Sequence, residues 1–373
     1  MKIVVDENMP LTEALFSEFG EIIRCPGRTL TAEQLADADV LLVRSVTKVN
    51  PELLSKAEKL QFVGTATIGT DHVDKAYLEE KGITFASAPG CNKISVGEYI
   101  ISALLVMAEK YQFSLSGLSL GIIGAGNTGT AVAEKAAALG ITVKLCDPPK
   151  QQAGDTRRFV SYEEALQCDL VSFHVPLSRQ GEYATYHLLD KKHIQALRSE
   201  QIVLNASRGE VWDNDALLHR QQSKEPLRLV MDVWENEPDI QLELVPYTDI
   251  ATPHIAGYSL EGKYRGTYML YEAFCRHFGY NVDKQLASML PIADIPSVTL
   301  LSSPDEAVLK KLIHLVYDVR RDDARFRQQI GLPGRFDEMR KKYPERREWN
   351  SLTVSTEQKD NELIQLGFSV SGN

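Results

Sequence analysis

The sequence has no long hydrophobic run, because none of its apolar segments approaches the ~20 residues that a membrane-spanning helix needs. Positive charge is also scarce: 41 Lys and Arg residues face 51 Asp and Glu residues, which leaves a formal net charge of −10. A nucleic acid is therefore not an expected partner. The first residues, MKIVVDENMP, contain one lysine followed by two acids, which predicts a strand and not a signal peptide.

Cysteine pairs are missing as well. The five cysteines are odd in number and scattered, with no CxxC pair and no spacing typical of zinc ligands. Neither HExxH nor another metal-binding motif occurs, so we expect no metal site. These absences predict free thiols in a reducing compartment, and hence a cytoplasmic protein.

What is present is an alternation of strand-like and helix-like segments as far as about residue 280. Strands are predicted at KIVVD, ADVLLVRS, LQFVGTA and GITFASAP, and then at LSLGIIGAG, ITVKLCD, CDLVSFHVPL, QIVLNAS, RLVMDV and DIATPH. Helices are predicted between them, for example at TEALFSEFG, PELLSKAEK and the long GEYIISALLVMAEKYQ. Most of the strands are apolar on both faces, which is typical of parallel sheets covered by helices. The chain is long enough for two or three domains, so we predict an α/β protein with two doubly wound parallel sheets.

The last part of the chain differs in character. A helix with regularly spaced aromatic residues is predicted after Ser259 and ends at Gly279. Ser303-Pro304-Asp305-Glu306 then has the form of a capping box for another helix. A basic stretch, RKKYPERRE, and two strand-like pieces, SLTVS and LGFSV, follow. They predict a small C-terminal α+β domain that gains burial by docking on another subunit. Arg346 and Arg347 are interpreted as part of a solvated charged helix, and the alternative is that they reach a phosphate from a partner subunit.

The segment GAGNTG, residues 124–129, predicts a dinucleotide site because a strand leads into it and a helix leaves it. Gly124 allows the tight turn, Gly126 lets the backbone approach a pyrophosphate, and Gly129 lets the helix pack on the strand. The free N–H groups near Asn127 and Thr128, at the helix start, can face the phosphates.

Asp147 ends the next predicted strand, at the spacing expected for the residue that binds the adenine ribose. Its carboxylate can accept hydrogen bonds from both ribose hydroxyls and would repel a 2′-phosphate. The sequence therefore predicts NAD, and not NADP, as the cofactor. The alternative is a surface aspartate that begins the turn DPPK.

Arg208, Glu237 and His254 each follow the end of a predicted parallel strand, which is the sheet edge where ligands bind. Taken singly, the arginine is typical of a solvated turn and the histidine of a packing residue. Together they suit hydride transfer at a 2-hydroxy acid: the arginine binds the α-carboxylate, and the histidine takes the hydroxyl proton. The glutamate can bond the far ring nitrogen of the histidine and stabilise the imidazolium.

The segments NASRGEVWDNDAL, DVWENEP and TPHIAGYSLEG resemble the three catalytic motifs of the D-2-hydroxyacid dehydrogenases, and the resemblance covers about residues 1–285. It implies that the same three residues are catalytic and that Asp232 and Gly257 lie at the nicotinamide end of the cofactor. It also implies a flavodoxin-like substrate domain, residues 1–98 and 257–285, with a Rossmann cofactor domain, residues 99–256, inserted between its two pieces.

The flanking segments VDENMP, LLVRSVTKVN, FVGTATIGTDHVD, APGCN, HLVYDVRRDDARFR and PERREW are similar to one branch of that family. The branch oxidises 4-phospho-D-erythronate to the 2-oxo acid in vitamin B6 biosynthesis. The resemblance implies that Ser45, Thr67 and Tyr258 bind substrate, and that residues 286–373 form the dimerisation domain of a homodimer. Val175 stands where relatives often carry threonine, which leaves a backbone contact to the cofactor.

Two alternatives stay open from the sequence. One is a dehydrogenase for another phosphorylated 2-hydroxy acid, such as 3-phosphoglycerate, although the tail lacks the βαββαβ pattern of a regulatory ACT-type extension. The other is a non-catalytic NAD(H)-sensing interaction protein that keeps the fold and the three residues. Among the remaining histidines, His72, His174 and His314 are interpreted as structural.

Overall fold

The computed structural model describes residues 1–357 and 360–372. The strands in these residues are β1 (Lys2–Asp6), β2 (Glu21–Cys25), β3 (Val40–Val43), β4 (Phe62–Thr65), β5 (Thr84–Ser87), β6 (Ser119–Ile123), β7 (Thr142–Cys146), β8 (Leu170–Phe173), β9 (Ile202–Asn205), β10 (Arg228–Met231), β11 (Ile250–Ala251), β12 (Ser297–Thr299), β13 (Thr353–Thr356) and β14 (Ser369–Gly372). The helices are α1 (Thr12–Phe16), α2 (Lys75–Glu80), α3 (Lys93–Tyr111), α4 (Asn127–Ala138), α5 (Pro148–Gln152), α6 (Tyr162–Leu166), α7 (Lys191–Ala196), α8 (Asn214–Gln221), α9 (Leu260–Phe278), α10 (Glu306–Val316), α11 (Val319–Gln329), α12 (Arg335–Lys341) and α13 (Asn361–Leu366). No helix in the described ranges combines the length and the apolar character needed to cross a membrane.

The chain forms two compact units, and the first comprises residues 1–92 and 259–291. Its parallel sheet has the order β2-β1-β3-β4-β5, which is the flavodoxin-like order. The central strands β3 and β4 are buried along their whole length, as expected for strands covered on both faces. The aromatic face of α9 packs here, with the Phe16 and Phe274 rings edge-on at 5.4 Å. The prediction of a flavodoxin-like sheet is confirmed.

The second unit comprises residues 93–258 and 292–373. Its larger sheet is parallel and has the order β11-β10-β9-β8-β6-β7. A single bridge from Leu145 to Phe159 extends it beyond β7, where a Rossmann sheet has one more strand. The strand order reverses at β6, and the glycine loop follows that strand. A ligand site is expected at such a reversal. The prediction of a Rossmann sheet is confirmed.

The C-terminal segment carries the two predicted strands, β13 and β14. Together with β12, which was not predicted, they form a small parallel sheet in the order β12-β13-β14. It shares a core with the second unit, because buried residues of the tail such as Leu309, Ile313 and Trp349 lie in the same apolar cluster as residues of α3 and α4. The unit boundaries fall after residues 92, 258 and 291, close to the predicted boundaries at 98, 256 and 285. The roles predicted for the three domains stay predictions.

Three local predictions were wrong. PELLSKAEK forms a series of turns and not a helix. Within these turns Leu53, Leu54 and Ala57 are buried in the same apolar cluster as residues of β3 and β4. The N-cap of α10 is Asp305 and not Ser303, since the Asp305 carboxylate accepts the Val308 N–H at 2.8 Å. Arg346, expected on a solvated helix, is 5% exposed and lies outside any helix.

Candidate active site

Three neighbouring strands of the larger sheet precede the candidate residues: β9 precedes Arg208, β10 precedes Glu237 and β11 precedes His254. The strands run parallel, so the segments that follow them leave the sheet at the same edge. The arginine lies in the turn after β9, the glutamate follows β10, and the histidine follows β11. The placement at one edge is therefore as expected, while the catalytic roles stay predictions.

The imidazole of His254 is paired with a carboxylate. Its Nδ1 lies 2.7 Å from Oε2 of Glu237, and the other carboxylate oxygen accepts the backbone N–H of Trp234 at 3.0 Å. An ionised carboxylate only accepts hydrogen bonds, so we assign the proton of the neutral ring to Nδ1. Nε2 is then left with a lone pair, which is what a general base needs.

The backbone of His254 is also constrained. Its φ of 57° lies in the left-handed region, which is uncommon for a residue other than glycine. Its N–H donates to the carbonyl of Asp232 at 2.6 Å. A conformation of this kind persists where the surroundings over-determine it, and such residues cluster in active sites.

Asp232 supplies much of that constraint. One carboxylate oxygen accepts hydrogen bonds from the Thr252 hydroxyl and the Ile255 N–H, each at 2.7 Å, and the other accepts the Ala256 N–H at 2.9 Å. Burial raises the pKa of this carboxyl above its usual range, and the three hydrogen bonds oppose that rise. The sequence suggested a cofactor contact for Asp232; the structure assigns it the support of the His254 loop, and the cofactor contact stays a prediction.

The turn that carries Arg208 depends on two residues that the sequence did not single out. The Asn205 amide donates to the carbonyl of Arg208 at 3.0 Å, and its amide oxygen accepts the N–H and the hydroxyl of Ser207. Gly209 leaves no room for a side chain, since a Cβ there would lie 1.9 Å from the carbonyl carbon of Trp234. This close approach joins the arginine turn to the segment that leads to Glu237.

The glycine loop uses its three glycines in different ways. Gly124 has φ 94°, and Gly129 faces the Gly124 carbonyl so closely that a Cβ would lie 1.9 Å from its oxygen. A Cβ on Gly126 would meet nothing within 4 Å. Helix α4 then begins at Asn127 with no side-chain cap, so its first N–H groups, including that of Thr128, are available to an anion. The open space and the uncapped helix fit a pyrophosphate.

Asp147 follows β7 and lies against the same loop. One carboxylate oxygen accepts the Ala125 N–H at 2.8 Å, and the other caps α5 by accepting the Lys150 N–H at 3.0 Å. Each oxygen keeps a further lone pair, so the carboxylate can still accept from ribose hydroxyls. Arg157, which the sequence did not single out, donates to the Ala125 carbonyl at 2.9 Å, and Val175 packs against Gly124.

The predicted substrate residues fall in both units. Ser45, which is exposed, follows β3 in the first unit, and Thr67 follows the neighbouring strand β4. The Thr67 hydroxyl lies 2.7 Å from that of Thr65, which in turn lies 2.9 Å from Nε2 of His72. Tyr258 belongs to the second unit, just after Gly257. Its ring meets that of Tyr343, from the C-terminal segment, edge-on at 5.6 Å.

Three other histidines have structural surroundings. His174 is buried, its Nε2 lies 2.8 Å from the Ser172 hydroxyl, and burial lowers its pKa to about 3. Nε2 of His314 lies 3.3 Å from the carbonyl of Ser102, and burial lowers its pKa too. Burial also lowers the pKa of His72. All three are interpreted as neutral packing residues. Within the described ranges, no group of three His, Cys, Asp or Glu side chains is arranged to hold a metal ion.

Comparisons with known proteins agree with this geometry. Residues 102–256 match the family described as D-isomer specific 2-hydroxyacid dehydrogenase, NAD binding domain, and residues 289–367 match a domain of unknown function. The erythronate-4-phosphate dehydrogenase of Tolumonas auensis is 82% identical over 373 residues, with 100% of each chain covered. That of Aeromonas hydrophila is 60% identical over 371 residues, with 99% of each chain covered.

Two solved structures with bound NAD are also similar. The 3-phosphoglycerate dehydrogenase of Entamoeba histolytica has a TM-score of 0.63 and 25% identity, covering 76% of this chain and 99% of its own. The formate dehydrogenase of Staphylococcus aureus has a TM-score of 0.58 and 25% identity, covering 77% of this chain and 98% of its own. The predictions of the fold and of NAD as the cofactor are confirmed.

Proposed function

Since the chain belongs to the D-2-hydroxyacid dehydrogenases and, within them, to the erythronate-4-phosphate dehydrogenases, we propose that it oxidises 4-phospho-D-erythronate. The product is (R)-3-hydroxy-2-oxo-4-phosphooxybutanoate, and the reaction serves the synthesis of vitamin B6. The chain is an NAD-dependent oxidoreductase. The hydrogen bond between His254 and Glu237 carries the proposal, because it leaves Nε2 of the histidine free to accept a proton.

The residues divide the work of the reaction. NAD, when bound at the glycine loop, supplies the acceptor for the hydride that leaves C2 of the substrate. His254 takes the proton of the C2 hydroxyl, and Glu237 stabilises the imidazolium that forms. Arg208 binds the α-carboxylate and polarises the C2 oxygen, since a guanidinium matches a carboxylate with two parallel hydrogen bonds.

Substrate binding is assigned to hydroxyl groups. Ser45 and Thr67 follow neighbouring strands of the first unit, and Arg44 and Lys48 lie near Ser45 in the sequence as positive charges. Such groups bind phosphate or substrate hydroxyls. We also propose that Tyr258 binds substrate. We assign no single residue to the phosphate.

Absorbance of NADH tests the proposal directly. The purified protein is mixed with NAD and, in separate experiments, with 4-phospho-D-erythronate and 3-phosphoglycerate, each with and without a 2-oxo acid. The 2-oxo acid reoxidises any NADH that stays bound between turnovers, and its reduced product is then measured. We expect turnover of phosphoerythronate and little of phosphoglycerate. The reverse preference would identify the other phosphorylated hydroxy acid as substrate, and NAD binding without any turnover would favour the sensing protein.

We also propose a cytoplasmic homodimer that forms through residues 286–373. Large apolar side chains are exposed in this segment, including Ile292 and Leu301 at 87% each and Leu332 at 53%. Burial of such side chains on association is favourable. Light scattering coupled to gel filtration should give twice the chain mass. Leu301→Asp should shift the protein toward the monomer, while a matched exchange of a polar surface residue, Ser302→Asp, should not.

A further inference from the structure

A buried arginine of the C-terminal segment contacts the loop that carries His254. Arg346 lies between α12 and β13 and is 5% exposed. One terminal guanidinium nitrogen donates to the carbonyl of Ala256 at 3.1 Å, and the other donates to the carbonyl of Ser95, on α3, at 2.6 Å. Ala256 is only two residues beyond the proposed general base. The arginine therefore joins the C-terminal segment, helix α3 and the catalytic loop.

The peptide groups after His254 are held from two directions. The Asp232 carboxylate accepts the N–H groups of Ile255 and Ala256, while the guanidinium of Arg346 donates to the Ala256 carbonyl. Hydrogen bonds to charged groups are about twice as strong as neutral ones, and buried surroundings strengthen them further. A carboxylate and a guanidinium thus fix the N–H and the carbonyl of Ala256, two residues after His254, whose φ lies in the left-handed region.

The arginine is itself held in place by the C-terminal segment. Its guanidinium lies over the Tyr317 ring, 3.5 Å from the centroid. The hydroxyls of Tyr317 and Tyr343 both donate to one oxygen of Asp322, at 2.9 and 2.7 Å. The planar guanidinium suits both stacking on a ring and donation to two carbonyls, and a lysine ammonium does not.

We propose that Arg346 is a positioning residue for the reaction: it fixes the carbonyl of Ala256 and thereby holds His254 where Nε2 reaches the substrate hydroxyl. The inference rests on the proposed function. Its consequence is that residues 292–373 support catalysis within their own chain, in addition to any role in association. A displacement of about 1 Å at a reacting group costs on the order of 100-fold in rate, so a loose loop should lower kcat.

Three variants test this role. Arg346→Met removes both hydrogen bonds, and Arg346→Lys keeps the buried charge but loses the planar fork. Lys135→Met is the matched control: Lys135 is another buried cation of the second unit, which donates to the Leu366 carbonyl and lies 4.5 Å from the Trp349 ring centroid. The Lys135→Met substitution removes a buried charge next to the same C-terminal segment. The contacts of Lys135 with Leu366 and Trp349 do not involve the His254 loop.

We expect kcat to fall 10- to 100-fold in Arg346→Met and less in Arg346→Lys, with the KM for NAD within twofold of the native value. The deuterium isotope effect on kcat, measured with substrate labelled at C2, should rise because the chemical step becomes slower. Lys135→Met should lower the melting temperature without changing kcat per folded enzyme or the isotope effect. The proposal would be overturned if Arg346→Lys behaved like Lys135→Met in kcat, in the isotope effect and in melting temperature. An unchanged kcat in both Arg346 variants would overturn it as well.

A second readout separates this inference from the proposed function. The proton between Nδ1 of His254 and Glu237 should give a downfield NMR signal, assigned by its loss in His254→Gln. We expect the signal to shift or broaden in both Arg346 variants and to be unchanged in Lys135→Met. If the native protein turned over no hydroxy acid, the proposed function would fail while this signal still reported on the position of the imidazole. An unchanged signal in both Arg346 variants would count against the positioning role.

Discussion

The glycine loop (residues 124–129) and the His254 loop (residues 252–258) both follow parallel strands of the same sheet, yet different forces shape them. The glycine loop is shaped by missing side chains, because Gly124 and Gly129 leave no space for a Cβ. The His254 loop is shaped by hydrogen bonds that its backbone donates to the Asp232 carboxylate and accepts from the Arg346 guanidinium, both distant in sequence. The first loop therefore depends on glycines wherever another part of the backbone passes close by, including the His174 carbonyl beside Gly124, and the second depends on charged partners that the fold supplies.

His254→Ala should produce the largest effect and should separate the two loops. The general base is lost while the glycine loop is untouched, so we expect kcat to fall ~10²–10⁴-fold with NAD affinity unchanged. Steady-state kinetics and NAD titration by fluorescence give the two numbers. An equal loss of NAD affinity would mean that the two loops do not act independently.

Gly129→Ala and Gly126→Ala should break the glycine loop in two different ways. The first forces a Cβ against the Gly124 carbonyl, so it should lower the free energy of unfolding by about 3 kcal/mol and weaken NAD binding. The second adds a Cβ in open space, so stability should hold while NAD affinity falls about tenfold, because the added methyl group stands where the pyrophosphate approaches. Equal melting temperatures for the two variants would contradict this division.

His174, whose carbonyl lies next to Gly124 below the glycine loop, should make the free energy of unfolding decrease in acid. Burial lowers its pKa from 6.5 to about 3. Between these two pH values the histidine is protonated in the unfolded chain but not in the folded chain. Its contribution is present above pH 6.5 and is lost as the pH falls, at about 1.4 kcal/mol per pH unit. His174→Asn should flatten the dependence of unfolding free energy on pH between 6.5 and 5. Denaturant titrations at several pH values measure this, and an equally steep dependence in the variant would rule out the histidine as its source.

Asp147→Asn should give the smallest effect. The amide oxygen still accepts one backbone N–H, but the negative charge that disfavours a 2′-phosphate is gone. We expect the preference for NAD over NADP to fall about tenfold, or about 1.4 kcal/mol. The ratio of kcat/KM for the two cofactors measures it. Native-like discrimination in the variant would show that another residue selects the cofactor.

The features predicted correctly were those with short-range signals. Strands apolar on both faces predicted the two parallel sheets, and the position of GAGNTG after β6 predicted the point where the strand order reverses. Arg208, Glu237 and His254 were placed at one edge because each follows a recognisable strand. Asn205 and Gly209 were missed, because an amide and a glycine in a turn have no distinctive sequence signal. Their roles depend on the Arg208 carbonyl that Asn205 binds and on the Trp234 backbone that passes close to Gly209.

The C-terminal segment was predicted less well. RKKYPERRE has the composition of a solvated surface, yet Arg346 within it is buried. Its hydrogen-bond acceptors, on Ala256 and Ser95, are far away in the chain, and composition does not report on partners of that kind. The apolar residues of the tail share a core with α3, and the role of the tail as a dimerisation domain stays a prediction.

By itself, the sequence determined the parallel α/β architecture and the dinucleotide loop, because apolar strand segments and glycine spacing act over a few residues. Asp147 indicated the cofactor, and the resemblance of three motifs indicated the family. The sequence also predicted the hydrogen bond between Glu237 and His254, which the structure contains. Only the tertiary structure decided the use of Asp232 as a support for the His254 loop and the burial of Arg346. These depend on which groups lose water together when the chain folds, and a buried charge is stable only where the whole fold brings it partners.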